Sequence, residues 1–179
     1  MIEPEKTIKI SIITVAFNSA STIRDTFDSV LSQTFPNIEY IVVDGASTDN
    51  TLNIIKAYEP KFDGRMRWIS EPDKGLYDAM NKGIQMSTGD IIGFLNSDDI
   101  YPFPHIITGI VECFKDNIDV QAVYGDVKFM SVNNPDKIVR YIRAKNFRPI
   151  RFRFGFMPPH PSFFTYRKYY DELGMFRLN

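Results

Sequence analysis

The apolar residues of this chain come in short runs of strand length, each followed by a stretch with helical spacing. Lys9 to Val15 continues from its lysine as Ile-Ser-Ile-Ile-Thr-Val, too apolar on both faces for an exposed hairpin and suited to a covered parallel sheet. Ile23, Phe27, Val30 and Leu31 then recur at i, i+4, i+7 and i+8. That spacing predicts an amphipathic helix, with Ser19 or Ser21 placed to cap it and Pro36 to stop it. The alternation repeats. Glu39 to Asp44 predicts a second buried strand and Ser47 to Tyr58 a second helix with Ser47 as its N-cap. Met66 to Ser70 reads as a third strand, Leu76 to Met86 as a third helix, Asp90 to Leu95 as a fourth strand and Pro104 to Lys115 as a fourth helix. With right-handed crossovers this β-α order makes an α/β fold, an open and mostly parallel central sheet with helices on both faces. In such sheets ligands bind beyond the carboxyl ends of the strands.

From Val120 the pattern changes. Ala122 to Met130 and Lys137 to Arg143 predict a hairpin about a turn at Asn133-Asn134-Pro135-Asp136. Arg151 to Phe156 alternates basic and aromatic residues as a strand with a solvated basic face does, and Tyr166 to Leu173 reads as a short helix. Cys113 shares an apolar stripe with Ile110 and Phe114, which makes it a core residue rather than a nucleophile, and Trp68 is expected in the core as well.

Composition narrows the class. A chain of 179 residues with 44% hydrophobic and 24% charged side chains is an ordinary globular domain, so disorder, collagen and a coiled coil are excluded. The apolar runs fall short of a membrane span, and the first residues lack the basic-then-apolar order of a secretory leader. One cysteine excludes a disulfide framework and a cysteine-built zinc site, so a reducing cytoplasm fits. The formal charge of −1 hides an asymmetry: residues 1–136 carry 11 basic and 20 acidic side chains, residues 137–179 carry 10 and 2. The second part can therefore attract anions such as phosphates, a nucleic acid or an acidic membrane face. No recognisable RNA module accompanies it, so nucleic acid is not the expected partner.

Each of the four strands ends in polar residues: Thr14-Val15-Ala16-Phe17-Asn18, Asp44-Gly45-Ala46-Ser47, Glu71-Pro72-Asp73-Lys74-Gly75 and Asn96-Ser97-Asp98-Asp99. Any one Asp there is also a good cap or turn former; four strand ends together point to a site. Adjacent carboxylates at Asp98-Asp99 repel unless a cation compensates, and an oxygen-rich site with few protein ligands suits Mg²⁺ or Mn²⁺ shared with a phosphate. Neither G-x-x-x-x-G-K-[ST] nor G-x-G-x-x-G is present, which removes the main warrant for a P-loop NTPase or a dinucleotide-binding fold.

Ile10 to Asn18 and Tyr40 to Thr51 together resemble the opening of family 2 glycosyltransferases of the GT-A fold, and Glu71 to Gly83 with Gly89 to Asp99 is similar to that family's next motifs. The resemblance runs from about residue 8 to 175. It implies one GT-A domain over residues 1–179, with 1–100 the nucleotide-binding half and 101–179 the start of an acceptor half. It implies Thr14, Ala16 and Asn18 near the base or ribose, Asp44 at a base N–H with uracil favoured, and Asp73 with Lys74 toward base, ribose or diphosphate. Asp98 would lie toward ribose and metal, Asp99 would be the direct metal ligand, and His160 would touch diphosphate or acceptor, unless it is a satisfied turn histidine between prolines. Asn96 stands where the family more often has Asp, which weakens metal affinity. The family's catalytic base is an Asp after the segment matching Gly174-Met175-Phe176, so that residue is expected beyond Asn179. The implied activity is inverting transfer of a sugar from a nucleotide-diphospho-sugar of UDP type to a hydroxyl on a saccharide or lipid-linked acceptor. Its setting would be cell-surface polysaccharide assembly in the cytoplasm or at the inner face of the membrane. Two alternatives stay open: a non-catalytic nucleotide-sugar or metal-binding module, and a membrane adaptor that uses the basic tail.

Overall fold

The computed structural model describes residues 7–117, 119–131, 134–155 and 157–178. The expected alternation is present: β1 (Ile10–Ala16), α1 (Ile23–Leu31), β2 (Ile38–Asp44), α2 (Thr51–Tyr58), β3 (Met66–Ser70), α3 (Leu76–Met86), β4 (Ile91–Phe94) and α4 (Ile106–Asp116). Beyond it come β5 (Ala122–Tyr124), β6 (Val127–Ser131), β7 (Asn134–Ile142), β8 (Phe163–Tyr166) and α5 (Arg167–Leu173). Six strands form the central sheet in the order β3-β2-β1-β4-β8-β5, and β6 and β7 pair separately. The pairs among β1 to β4 are parallel, while β8 runs antiparallel to both β4 and β5.

The period of two along β1 explains the layering. Ile10, Ile12 and Ala16 join Phe27 and Val30 of α1, Ile54 and Ile55 of α2, and Ile107 and Val111 of α4 on one face. Ile13 and Val15 join Ala79, Met80 and Ile84 of α3 on the other. Both faces of β1 and β2 are therefore dry, and burying each such side chain contributes about 1.5 to 3 kcal/mol. At the amino end of the sheet Glu39 is a polar knot. Its buried carboxylate accepts from Ser11 Oγ at 2.6 Å and from the Thr88 amide and hydroxyl at 2.8 Å, and pairs with Lys9 and Arg67.

Several expectations are corrected. α2 begins at Thr51, not Ser47, because the Ser47 hydroxyl is drawn to Asp44. The long strand expected over 122–130 breaks at Gly125-Asp126: Gly125 N donates to Ser162 O at 3.1 Å, tying β5 to the segment before β8, and β6 leaves for the hairpin. Part of the expected turn at 133–136 lies outside the described residues, and Asn134 to Asp136 already belong to β7. The basic-aromatic segment is a 3-10 helix over Pro149–Phe154, not a strand; Pro149 fixes φ at its start and Gly155 takes φ +75° at its end, neither of which suits a continuing strand. The end of that expected strand, Phe156, lies outside the described residues. β8 has too few residues between Pro161 and α5 to show a clear period. Cys113 is exposed, since the buried stripe of α4 runs through Ile107, Val111 and Phe114 and position 113 is turned away from it. Trp68 is half-buried on the edge strand β3, packed against the core.

Candidate active site

A cleft of about 530 Å³ opens beyond the carboxyl ends of the parallel strands, where an open α/β sheet places its ligand. Val15 to Ser19 leave β1 along one wall, with Ser21 and Thr22 behind them. Asp73, Gly75, Leu76 and Ala79 descend from the β3–α3 connection, and Asn96 to Asp98 follow β4.

Hydrogen bonds between distant segments fix these loops. Asn18, at φ +50°, accepts from the Thr48 amide at 2.9 Å and gives its own amide to Ser47 Oγ at 2.8 Å. Asp49 accepts from Ala20 N at 3.0 Å, and Thr51 Oγ1 accepts from Ser19 N at 2.8 Å. Ser19 and Ser97 share a hydroxyl pair at 2.8 Å, which joins the β1 and β4 exits in the cleft lining. Gly45 lets Asp73 lie close: a methyl group there would meet the Asp73 carboxylate and push it aside. Gly75, at φ +108°, starts α3 in a conformation that other residues rarely adopt, and its amide donates to Asp73 Oδ1 at 2.8 Å.

Of the residues expected from the sequence, the structure brings Ala16, Asn18, Asp73 and Asp98 together on the cleft wall. Asp99 sits beside them, half-buried, with Oδ2 accepting from Asn96 Nδ2 at 3.2 Å. Thr14 is not in the cleft. It points into the core, its hydroxyl 2.8 Å from Tyr40 Oη and donating to Leu95 O at 2.6 Å. Asp44 is fully buried beneath the loops; it accepts from Ser47 N at 3.0 Å, from Ser70 Oγ at 2.7 Å and from the Ser47 hydroxyl. Lys74 is exposed on the β3–α3 connection, with its amide donating to Asp78. His160 packs among Tyr77, Phe94 and Phe176, with ring centroids 5.9 to 6.4 Å away. This burial pushes its pKa down, so the ring is neutral near pH 7.

Electrostatics single out the β4 exit. Burial, and after it the charge of Asp98, raise the Asp99 carboxyl from its ordinary 3.8 to about 6. Asn96 Oδ1 is buried without a hydrogen-bond partner among the described residues. Two repelling carboxylates and an orphaned amide oxygen fit a divalent cation that takes its remaining ligands from water and phosphate. They do not form a closed cage, and no cluster of three or more His, Cys, Asp or Glu ligands occurs among the described residues.

Sequence reasoning missed the Ser19–Ser97 pair: Ser97 stands in the β4 exit motif, but Ser19, just past the β1 exit motif, reads as a cap for α1. It also missed the anchoring of the last segment. Asn81 of α3, 8% exposed, donates to Phe176 O at 2.8 Å and accepts from Phe176 N at 2.9 Å, and Phe176 stacks on Tyr77 at 5.2 Å. An Asn on the buried face of a helix was the available signal, because a buried amide needs partners.

The doubly covered sheet carries its cleft at the strand exits, with paired aspartates after β4. The model of glycosyl transferase family 2 matches residues 11–174, and the chain belongs to that family. A Mycobacterium tuberculosis protein named as an uncharacterized glycosyltransferase is 38% identical over 117 residues, 65% of this chain and 44% of the relative. A Mycobacterium bovis PGL/p-HBAD biosynthesis glycosyltransferase is 34% identical over 123 residues, 69% of this chain and 48% of the relative. The chain thus spans about half the length of the curated relatives it matches. Among solved structures, the Pyrobaculum calidifontis mannosyltransferase PcManGT, in complex with GDP-Man and Mn²⁺, superposes with a TM-score of 0.74 at 20% identity, over 96% of this chain and 48% of that one. S. aureus TarS 1–349 in complex with UDP-GlcNAc gives 0.71 at 20% identity, over 93% and 47%. These solved structures establish the GT-A fold.

Proposed function

We propose that the cleft binds a UDP-linked hexose and a divalent cation, and that the chain supplies the donor half of an inverting hexosyltransferase acting in surface glycan or glycolipid assembly. The observation that carries this reading is the β4 exit. There Asp98 lines the cleft, Asp99 is raised to about 6, and Asn96 Oδ1 is left without a partner. Asp98, Asp99 and Asn96 would hold the cation, which when bound supplies positive charge to a diphosphate leaving group. Structural neighbours support the donor class, since the solved complexes named above contain GDP-Man with Mn²⁺ and UDP-GlcNAc. The M. bovis relative is named for PGL/p-HBAD biosynthesis, which supports a biosynthetic setting.

The residues divide the remaining work. Ala16 to Asn18 offer backbone and an amide to the base and ribose, and the exposed Phe17 ring, at 62%, offers a face for stacking. Asp44 acts in this reading through the loop: it holds Ser47, which holds Asn18, and it meets a base N–H only if the Gly45–Ser47 turn opens. Asp73 faces the ribose or diphosphate from the opposite wall, with Lys74 free to swing toward phosphate. Asn81 anchors Phe176, and with it the segment after which the resemblance places the catalytic base.

The test is release of UDP from a panel of UDP-hexoses, run beside GDP- and dTDP-hexoses, with saccharide and lipid-linked acceptors. Preferential turnover of a UDP-hexose supports the reading. Preference for a GDP-hexose overturns the base assignment, and tight binding without turnover by any longer natural form favours the non-catalytic module.

A further inference from the structure

The β6–β7 hairpin has no counterpart in the donor cleft and no use in the function above. Among the described residues its two strands pair only with each other, and a lone two-stranded hairpin is marginal in water unless something covers a face. Its register, Lys128 opposite Tyr141, Phe129 opposite Arg140 and Met130 opposite Ile138, puts a large apolar residue on each side of the ribbon. Both sides are exposed: Phe129, Met130, Ile138 and Tyr141 each exceed 40%, and Val139 reaches 60%. Cations are interleaved with them. Arg140 lies 5.6 Å from the Phe129 ring centroid, Lys128 5.7 Å and Arg143 5.1 Å from that of Tyr141. Between residues 127 and 148 the chain carries six basic side chains and one acidic, Asp136.

From this juxtaposition we propose that the hairpin is a docking surface for an anionic lipid bilayer, which it enters to headgroup depth. The charge selects the partner. A second copy of the chain would set six cations against six, and a nucleic acid would gain stacking from Phe129 and Tyr141 but nothing from Ile138 and Val139. An anionic bilayer takes up both kinds of residue, the aliphatic side chains at the acyl boundary and the cations among the headgroups. No helix among the described residues is long and apolar enough to cross a membrane; the attachment proposed for the hairpin is peripheral and reversible. It stands independently of the donor assignment.

Cosedimentation with vesicles of phosphatidylcholine alone, and with a third of the lipid replaced by phosphatidylglycerol, tests it. The expected result is retention on the anionic vesicles only, weakening with added salt. Lys137→Ala with Arg140→Ala should lower the vesicle partition about 25-fold, roughly fivefold for each cation, and Ile138→Ser with Val139→Ser about tenfold. UDP affinity and circular dichroism should stay unchanged in both pairs, which separates a failure of docking from a failure of folding or of the donor reading. A Phe129→Trp variant should be quenched by brominated lipid. Equal retention on neutral vesicles, retention unaffected by either pair, or hairpin-dependent dimerisation or RNA binding that outcompetes the vesicles would each overturn the proposal.

Discussion

Replacing Asp99 by Asn should make the protein more stable while removing its response to a divalent cation. Asp99 is held beside Asp98 with its carboxyl half-buried, and its pKa stands at about 6 against an ordinary 3.8. A folded-state pKa above the unfolded one means the native state binds more protons. The ionised carboxyl therefore penalises the fold, with the penalty setting in as pH rises through 3.8 and complete above about 6. At about 1.36 kcal/mol for each pH unit the full penalty is on the order of 3 kcal/mol. Solvent screening at the exposed part of the side chain lowers it to about 1.5 kcal/mol. Asn keeps an oxygen for the Asn96 amide and carries no charge. In a domain of this size each kcal/mol moves Tm by about 2 to 4 °C, so D99N should melt about 3 to 6 °C higher at pH 8. The difference should close by pH 4, where wild-type Asp99 is protonated. Mn²⁺ with UDP should raise the wild-type melt and leave the variant's unmoved. A variant that melts at or below wild type at pH 8, or that keeps the full Mn²⁺ response, would refute the idea that repulsion at the β4 exit is relieved by a cation.

Other substitutions follow from the same structure. Asp44→Ala frees Ser47 and Ser70 and should lower UDP affinity about ten- to a hundredfold, the cost of hydrogen bonds to a buried charge, with Asp44→Asn losing less; unchanged calorimetry in the alanine variant would show that the loop stands without it. At Glu39, burial would raise the carboxyl, but hydrogen bonds from Ser11, Thr88 and Lys9 hold it at about 2 against an ordinary 4.5. Its contribution is then present above pH 4.5 and lost as pH falls toward 2. Glu39→Gln should cost about 2 kcal/mol in urea unfolding at pH 7, discounted for solvent around Lys9 and Arg67, with the gap narrowing in acid. Asn81→Ala should release Phe176 and speed proteolysis after residue 173 without changing UDP affinity; protection equal to wild type would mean that stacking on Tyr77 suffices.

The sheet was legible because buried strands write themselves as apolar runs, and α1, α3 and α4 because their apolar stripes keep the helical period. The strand exits were legible for the same reason: once the runs end, Asp73 and Asp98 have nowhere to go but the rim. What the sequence hid depends on partners distant in the chain. Thr14 looked like a rim residue but is consumed by Tyr40 and Leu95 O, and a pattern along one strand does not show what faces it. Ser47 had the chemistry of an N-cap, yet Asp44 and Asn18 compete for it and win. Arg151 to Phe156 has a period of two, but Pro149 stands before it, Gly155 near its end, and Pro149–Phe154 winds into a 3-10 helix, so the local pattern misled. Phe163 to Tyr166 became a strand only because β4 and β5 leave a gap of one strand between them.

The central claim is that the cleft binds a nucleoside diphosphate through a cation held at the β4 exit. Titration calorimetry of UDP against the wild-type chain in Mn²⁺, and again in EDTA, tests it most directly, with Asp98→Ala as a third arm. The account predicts UDP at least about tenfold tighter in Mn²⁺, equivalent to about 1.4 kcal/mol, and an Asp98→Ala protein that binds equally weakly in both buffers. Equal wild-type affinity in Mn²⁺ and EDTA would contradict it.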